Sequence, residues 1–277
     1  MSIIVIGNQV VHYEVLGHGR PVIFLHGWLG SWRYWFPTME VVGKHFRSYS
    51  FDFLGFGNSN HRGAPVSVST YSDQVIRFMD ALGIDQAMLV GHSMGGMVAM
   101  KTAIIYPDRV QRVVTVGAPF TGDSLAWFLK LTNYPIMANA FARWTWLRRN
   151  MFRFFMGNVK DPSVQEILND AVKSSAHTLR STVGSMMQTN MRSELSRLRT
   201  PALIVHGGRD DIVNPRQVDL FNPIPSAEIL ILHNSRHFPF FDEIDIFNEI
   251  LLQFLRQTAL DKALLRSRLQ VAPMPGK

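Results

Sequence analysis

The chain has 277 residues, 47% of them hydrophobic, which suffices for one large buried core or for a core with a sizeable insertion. It contains no cysteine, so a disulfide framework, a thiolate metal site and a cysteine nucleophile are excluded. The net charge is +7, and most of this excess lies in residues 121–200, which hold eleven Lys or Arg against five Asp or Glu. Because no zinc-finger or RNA-binding pattern accompanies the charge, nucleic acid is not an expected partner.

The N-terminal residues predict neither a secretion signal nor a membrane anchor. The chain enters alternating apolar sequence at Ile3-Ile4-Val5-Ile6 with no basic region or cleavage site. No apolar run reaches about 18 residues, the length that a membrane span needs. We therefore expect a cytoplasmic protein, with peripheral contact to a membrane as an open alternative.

The first half of the chain alternates short apolar runs with helical stretches. The run at residues 21–26 ends at Gly27, as a buried strand should. The pattern predicts strands at 21–26, 47–53, 87–90 and 110–116, with helices at 69–82 and between Ser93 and Pro107. This rhythm indicates an α/β fold with a mostly parallel, doubly wound β-sheet, whose sites lie at the carboxyl ends of the strands.

The rhythm breaks between residues 120 and 200, which are rich in Met, Trp, Phe and Arg and contain no β-branched run. Strands are predicted again at 202–205 and 228–232, before a last helix with Asp242 as its N-cap. The sequence thus predicts a core of residues 1–120 and 200–258 that carries an all-helical cap insertion at 121–199. Residues 259–277 are expected to form a partly frayed C-terminal extension.

The turn Gly91-His92-Ser93-Met94-Gly95 carries the first candidate catalytic residue. Ser93 directly follows a buried-type strand and directly precedes a helix, with a glycine two residues away on each side. A serine exposed at the edge of a sheet requires a sharp, strained turn, in which a Cβ at either glycine position would clash. The amino end of the following helix favours an oxyanion nearby. We interpret Ser93 as a nucleophile.

Residues 1–258 resemble the α/β-hydrolase superfamily with a helical cap, in its esterase- and lipase-like serine hydrolase branch. Four segments besides the Ser93 turn carry the resemblance: His26-Gly27-Trp28, Asp52-Phe53-Leu54-Gly55-Phe56-Gly57-Asn58-Ser59, His206-Gly207 with Asp210, and Arg236-His237-Phe238. They resemble the oxyanion loop, a structural turn, the acid motif and the base motif of that family. The resemblance is specific for the fold and a Ser-His-Asp triad, and weak for the substrate.

A serine hydroxyl needs a neighbouring imidazole as base, and the imidazole needs a carboxylate that holds its tautomer. In this fold the acid follows a strand beyond the insertion, where the sequence offers both Asp210 and Asp211. The family pattern selects Asp210, and Asp211 remains the alternative. Among ten histidines, His237 lies between the last strand and the last helix and is the expected base.

For His92, His206 and His233 a structural role is the better interpretation, since each lies in or directly beside a strand. The oxyanion hole is expected to use two backbone amides, that of Met94 and one from the loop after residues 22–26. The family resemblance assigns the second amide to Trp28. This chemistry requires neither a cofactor nor a metal.

The six tryptophans fall in two clusters of three. One cluster begins in the oxyanion loop and continues just after it, and the other lies in the insertion. If the insertion covers the site, the clusters could face each other across an apolar pocket, or they could simply join cap and core. The members are Trp28, Trp32, Trp35, Trp127, Trp144 and Trp146. The first interpretation predicts an apolar small molecule or a lipid as substrate.

Residues 141–156 mix aromatic side chains with arginines, as segments at a lipid surface do. A cap helix with a solvated basic face is the interpretation that we prefer here. The sequence leaves the oligomeric state open.

The sequence predicts hydrolysis of a carboxylic ester through an acyl-enzyme on Ser93. Cleavage of a carbon–carbon bond in a meta-cleavage product is an alternative, although families with that activity usually carry Asn where this chain has His92. A second alternative is a non-catalytic small-molecule receptor or accessory protein on the same fold.

Overall fold

The computed structural model describes residues 2–59, 61, 63, 65–157 and 164–256. Eight strands form a single sheet in the order β1-β2-β4-β3-β5-β6-β7-β8. They are β1 (Ser2–Ile6), β2 (Gln9–Leu16), β3 (Pro21–Leu25), β4 (Arg47–Phe51), β5 (Ala87–His92), β6 (Val110–Val116), β7 (Ala202–Gly207) and β8 (Ala227–Leu232). The strands β3 to β8 are parallel, and β1 and β2 add an antiparallel edge.

Helices cover the sheet and fill the segment between β6 and β7. They are α1 (Phe36–Val42), α2 (Val68–Ala81), α3 (Met94–Ile105), α4 (Trp127–Lys130), α5 (Pro135–Arg143), α6 (Thr145–Met156), α7 (Val164–Asp170), α8 (Ala176–Gln188), α9 (Arg192–Leu195), α10 (Pro239–Asp242) and α11 (Ile244–Leu255). The predicted α/β class and mostly parallel sheet are confirmed. Within the described part of residues 121–199 the regular elements are helices, short 3₁₀ turns included. The predicted C-terminal extension lies outside the described residues.

The order of the strands determines where a site can form. The chain passes from β3 to β4 on one side and then crosses β3 to reach β5 on the other. A crevice therefore opens at the carboxyl ends of β3 and β5, where the winding direction reverses. The loop that begins at His26 and the turn that contains Ser93 follow these two strands.

The loop after β3 is held by buried polar groups. Both Asp52 carboxylate oxygens accept backbone hydrogen bonds, from Trp32 at 2.8 Å and from Asn58 at 2.8 Å. Burial raises the pKa of Asp52 to about 7, although both bonds favour the charged form. His26 accepts a bond from the Phe53 amide at 2.9 Å, and burial lowers the pKa of this imidazole to about 4. These bonds fasten the β3 loop to the segment after β4.

Polar contacts join the inserted helices to the core. The guanidinium of Arg33, in the β3 loop, pairs with Glu166 at 2.8 Å and with Asp170 at 3.0 Å, both in α7. Lys173 bridges Asp170 and the side chain of Asn58 at 2.5 and 2.6 Å. Because Asp170 is buried, these contacts fix α7 against the loops that follow β3 and β4.

The predicted N-cap of the last helix is wrong by one residue. Asp242 ends the short helix α10, and Glu243 precedes the first residue of α11. The Asp242 carboxylate instead accepts a hydrogen bond from the Arg236 amide at 2.7 Å. The two helices are separated at Glu243, whose φ of −134° and ψ of 56° are not helical. Through its bond to the Arg236 amide, Asp242 anchors the loop that carries His237.

Candidate active site

The turn between β5 and α3 holds Ser93 in a strained backbone conformation. Its φ of 52° and ψ of −120° lie outside the regions that side chains favour, and its amide donates to the Val116 carbonyl at 2.8 Å. A Cβ on Gly91 would lie 2.2 Å from the Gly95 oxygen, and one on Gly95 would lie 2.3 Å from the Leu25 oxygen. Both glycines are therefore required by close backbone contact, as the sequence predicted.

The loop after β7 places the Asp210 carboxylate within hydrogen-bond distance of His237. Its Oδ1 accepts the amides of Ile212 and Val213 at 2.9 and 3.0 Å, and its Oδ2 accepts a bond from His237 Nδ1 at 2.8 Å. His206 Nε2 lies 3.1 Å from the same Oδ2. Burial opposes ionisation, but the His237 charge and the histidine hydrogen bonds hold the pKa of Asp210 well below its usual range.

The neighbouring aspartate faces the solvent. The Asp211 side chain is 48% exposed and pairs with Arg236 at 2.6 Å. The structure thus brings Asp210, and not Asp211, to His237. His206 is buried at the end of β7 and shares its Nε2 hydrogen between Asp210 and the Val213 carbonyl, which is the structural role expected of it.

His237 lies in the loop between β8 and α10 and borders the same cavity as Ser93. Because a carboxylate can only accept, Asp210 fixes the hydrogen of His237 on Nδ1 and leaves Nε2 unprotonated in the neutral ring. Gly117, at the end of β6 with φ 55°, allows this pair to approach the backbone. A Cβ there would lie 3.3 Å from His237 Nδ1 and 3.4 Å from Asp210 Oδ2.

His92 connects the loop of His237 to the loop after β3. Its Nε2 lies 2.9 Å from the His237 carbonyl and its Nδ1 lies 3.1 Å from the Tyr34 hydroxyl. That hydroxyl also accepts the amide of Gly27. Burial lowers the pKa of His92 well below its ordinary value, so the ring is neutral. Since a carbonyl only accepts, Nε2 carries the hydrogen, and the Tyr34 hydroxyl donates to Nδ1.

Neither Tyr34 nor Gly117 was predicted from the sequence as a residue of the site. Nothing in the aromatic run around Tyr34 marks its hydroxyl as a partner of His92, because the two residues are 58 positions apart. Gly117 did carry a signal, since it is a glycine placed directly after a predicted parallel strand, where candidate residues gather.

We expect Tyr34→Phe to lower the free energy of unfolding by about 2 kcal/mol, because the Gly27 amide and His92 Nδ1 would lose their partner in a buried site. Turnover of an ester should fall roughly tenfold with KM little changed, since both ends of the network adjoin the candidate site. Urea denaturation and steady-state kinetics measure the two effects.

Tyr106→Phe is the matched control for this substitution. It removes a hydroxyl that bonds Asp73 at 3.1 Å on the exposed surface, so its effect should stay within about 0.5 kcal/mol. Equal stability of the two variants would contradict the role assigned to the Tyr34 hydroxyl.

The two predicted oxyanion donors lie on opposite sides of the crevice. Met94 is the first residue of α3, and Trp28 lies in the loop after β3. No hydrogen-bond acceptor for either amide is found in the described part of the chain. Leu29, next to Trp28, has φ 63°, a second strained backbone position beside the same cavity.

The cavity at these residues is narrow and largely apolar. Its volume is about 40 Å³, and Ser93, His237 and Trp28 border it from the core. The inserted helices contribute Leu129, Met151, Phe152, Phe155 and Met186. Apolar side chains from two parts of the chain thus enclose the Ser93 hydroxyl.

Of the two interpretations left open for the tryptophan clusters, the one in which they face each other across a pocket does not match the structure. Trp28 borders the cavity and stacks on Phe141 of α5, with ring centroids 5.8 Å apart. Trp35 is buried against Phe240 in the core. All three tryptophans of the insertion are more than half exposed, namely Trp127, Trp144 and Trp146. The inner side of the insertion is instead formed by Phe, Met and Leu.

The residues that the structure describes contain no group of three or more His, Cys, Asp or Glu side chains that could hold a metal ion. In the same part of the chain, none of the helices has both the length and the apolarity that crossing a membrane would need.

Comparison with known proteins gives the same fold. A family model described as alpha/beta hydrolase fold matches residues 20–244. The AB hydrolase superfamily protein YisY of Bacillus subtilis is 28% identical over 256 residues, which cover 87% of this chain and 93% of that protein. The pimeloyl-acyl-carrier-protein methyl ester esterase of Vibrio vulnificus is 29% identical over 257 residues, which cover 88% and 97%. A hydrolase structure from Pseudomonas aeruginosa matches with a TM-score of 0.80 at 20% identity, covering 92% of this chain and 97% of its own.

Proposed function

Because this chain belongs to the alpha/beta hydrolase fold family, we propose that it is a serine hydrolase that cleaves carboxylic esters of apolar small molecules or lipids. The observation that carries the proposal is the Asp210–His237 hydrogen bond of 2.8 Å beside the cavity that also holds Ser93 in its strained turn. A carboxylate, an imidazole and a hydroxyl in this order are the parts that acyl transfer requires.

In the proposed first half-reaction, His237 Nε2 takes the proton of Ser93 as Oγ attacks the ester carbonyl carbon. The carbonyl oxygen becomes an oxyanion, which the amides of Trp28 and Met94 stabilise by hydrogen bonds. His237 then donates its proton to the departing alkoxide, and the alcohol leaves. The acyl group stays on Ser93 as an ester.

In the second half-reaction, His237 removes a proton from water, which attacks the acyl-enzyme carbonyl. The new tetrahedral oxyanion collapses, the carboxylic acid leaves, and Ser93 Oγ recovers its proton from His237. Throughout, Asp210 stays ionised, as its lowered pKa requires, and stabilises the imidazolium that forms in each half.

The lining of the cavity supports an apolar acyl or alkyl group as substrate. Phe152 and Phe155 of α6 and Leu129 of α4 border the space around Ser93. A charged group placed among these side chains would lose its hydration without finding a partner. The relative from Vibrio vulnificus carries a name that describes a methyl ester esterase, which agrees with an ester as the bond cleaved.

A pair of matched esters tests this proposal. p-Nitrophenyl butyrate and p-nitrophenyl hydrogen succinate are similar in size, but only the succinate ends in a carboxylate. We expect kcat/KM to be at least about tenfold higher for the butyrate, because of the desolvation cost of the charge. Longer acyl chains in the same panel measure how much of the cavity each substrate can use.

Ser93→Ala is the control, and it should leave only background hydrolysis. The proposal would be overturned if the wild-type protein hydrolysed none of these esters and did not react with a fluorophosphonate probe. That result would favour a receptor or accessory protein on the same fold. Activity on meta-cleavage products with none on esters would favour carbon–carbon bond cleavage.

A further inference from the structure

The outer surface of the inserted helices exposes an unusual number of apolar side chains. Among the described residues, twelve large hydrophobic side chains are exposed, and eight of them lie between residues 127 and 154. They are Trp127, Leu131, Tyr134, Ile136, Met137, Trp144, Trp146 and Phe154, here called the aromatic patch. Ile136 is 82% and Trp127 is 74% exposed. Concentrated exposure of this kind marks an interaction surface more often than a solvated one.

Ring contacts connect members of the patch that lie on different helices. Trp127 of α4 contacts Phe128 at 6.1 Å between centroids, and Phe128 stacks on Phe155 of α6 at 5.6 Å. Phe155 in turn contacts Phe154 at 5.4 Å. The exposed rings of Trp127 and Phe154 therefore flank a common cluster and belong to one region of the surface.

The same helices form the wall of the cavity at Ser93. Leu129 of α4 and Phe155 of α6 border that cavity directly. Phe141 of α5 stacks on Trp28, which also borders it. The aromatic patch is thus carried by the three helices that cover the candidate active site and by the short segments that connect them.

The charge of this segment is of one sign. Residues 124–157 contain five Lys or Arg and no Asp or Glu. Arg148 is buried, where it donates to the carbonyls of Ser174, Ala142 and Val172. Lys130 bonds a backbone carbonyl, and Arg149 bonds side-chain amides, so no carboxylate neutralises them in these contacts. The surface that results complements a negatively charged partner.

We propose that the aromatic patch docks on the surface of an anionic lipid bilayer. Trp and Tyr rings favour the headgroup region, where an apolar body and a polar tip are both accommodated, and the cations face lipid phosphates. Docking would place the helices that enclose Ser93 against the membrane, so that an apolar ester could pass from the bilayer to the cavity. This last consequence rests on the proposed function, whereas the docking itself does not.

Charge argues against two other occupants of the patch. The C-terminal residues 257–277 carry four Lys or Arg and one Asp, so they would meet the patch with like charge. A second copy of the chain, related by a two-fold axis, would bring one basic patch against another. Anionic lipid is the partner whose chemistry matches both the exposed rings and the cations.

Sedimentation with lipid vesicles tests the proposal on the full chain. Vesicles of phosphatidylcholine with and without 30% phosphatidylserine are compared, at low salt and at about 0.5 M salt, where charges are screened. We expect binding to the phosphatidylserine vesicles, weakened by salt. The emission of the exposed tryptophans should shift to shorter wavelength on binding, because their rings leave water.

Three variants separate the contributions. Trp144→Ala/Trp146→Ala/Phe154→Ala should lower partitioning roughly tenfold or more. Arg143→Gln/Arg149→Gln should lower partitioning onto the anionic vesicles by about fivefold for each cation removed. Partitioning onto vesicles without phosphatidylserine should not change. The matched control, Ile3→Ala/Val5→Ala, removes exposed apolar side chains from the edge strand β1 and should bind as the wild type does.

Ser93→Ala should also bind as the wild type does, so a failure of the proposed ester chemistry would leave the docking result unaffected. Wild-type protein that stays in the supernatant with anionic vesicles overturns the proposal. So does equal loss of binding in the patch variants and in the β1 control. Light scattering on the protein without vesicles measures its oligomeric state. A wild-type dimer that the patch variants convert to a monomer would show that a second copy occupies the patch, and would also overturn the proposal.

Discussion

Replacement of Ser93 by alanine is expected to lower kcat for an ester by on the order of 10⁵-fold or more, with little change in KM. The substitution removes the nucleophile but leaves the cavity and the candidate oxyanion donors in place. Any residual rate would come from direct attack of water on a bound ester. Stopped assays with p-nitrophenyl butyrate, corrected for spontaneous hydrolysis, measure the difference. A loss of less than about tenfold would contradict the role of Ser93 as nucleophile.

The backbone conformation of Ser93 leads to a second prediction, which concerns stability and is independent of catalysis. Ser93 has φ 52°, a conformation that costs an alanine or a serine free energy but is open to glycine. We therefore expect Ser93→Gly to be inactive and yet more stable than Ser93→Ala by about 1 kcal/mol. Urea denaturation of the two variants measures this difference.

Ser181, in the interior of the regular helix α8, supplies the reverse control. There glycine should be less stable than alanine by about 1 kcal/mol, because it gains freedom in the unfolded chain and no strain is relieved. If glycine were destabilising at both positions, the strain inferred at Ser93 would be absent, and the turn would hold its serine without energetic cost.

The fold followed from the sequence because its strands are buried on both sides. Parallel strands such as β3 have nearly continuous apolar runs, and the predicted bounds of 21–26 exceed that strand by only one residue. The antiparallel edge formed by β1 and β2 was harder to predict from the sequence. Exposed Ile3 and Val5 alternate there with inward residues, and the pairing of the two strands depends on a turn at Gly7.

The orientation of the inserted helices could not be predicted in this way. The buried positions of α6 are Arg148, Phe152 and Met156, which are four residues apart and define one face. A sequence pattern assigns an arginine to the solvent side, whereas Arg148 is 1% exposed and bonds three carbonyl groups. With that face turned inward, Trp146 and Phe154 are exposed and do not border the cavity, which excludes the interpretation that the tryptophan clusters face each other.

The network from Gly27 through Tyr34 to His92 was beyond sequence reasoning for a different reason. Its members come from the β3 loop and from the last residue of β5, and no periodicity relates them. Only the positions of both loops in space bring a phenol beside the imidazole. By contrast, the placement of Asp210 and His237 near Ser93 followed from the order of strands, since the loops after β5, β7 and β8 share one edge of the sheet.

Asp210→Asn is expected to lower kcat on the order of 10⁴-fold, whereas Asp211→Asn should change it less than about threefold. The two substitutions are identical and adjacent, but only Asp210 bonds His237, at 2.8 Å. An amide at position 210 could offer a hydrogen to Nδ1 and so favour the wrong tautomer, which leaves no base at Nε2. Because substrate does not contact this carboxylate in the proposed reaction, KM should change little. Equal losses in both variants would exclude Asp210 as the acid.

The acid stability of the protein gives a second measure of the same carboxylate, independent of catalysis. Contacts with His237 and His206 hold the pKa of Asp210 below its ordinary value of 3.8. A group with a lowered pKa stabilises the folded chain above the pKa of the unfolded state and loses that contribution as pH falls further. The free energy of unfolding of the wild type should therefore decrease below about pH 4 more steeply than that of Asp210→Asn. Asp211→Asn should follow the wild type, because the Asp211–Arg236 ion pair lies at the exposed surface, where such a pair contributes little to stability. Parallel slopes for all three proteins would show that the buried carboxylate does not hold its charge through its histidine partners.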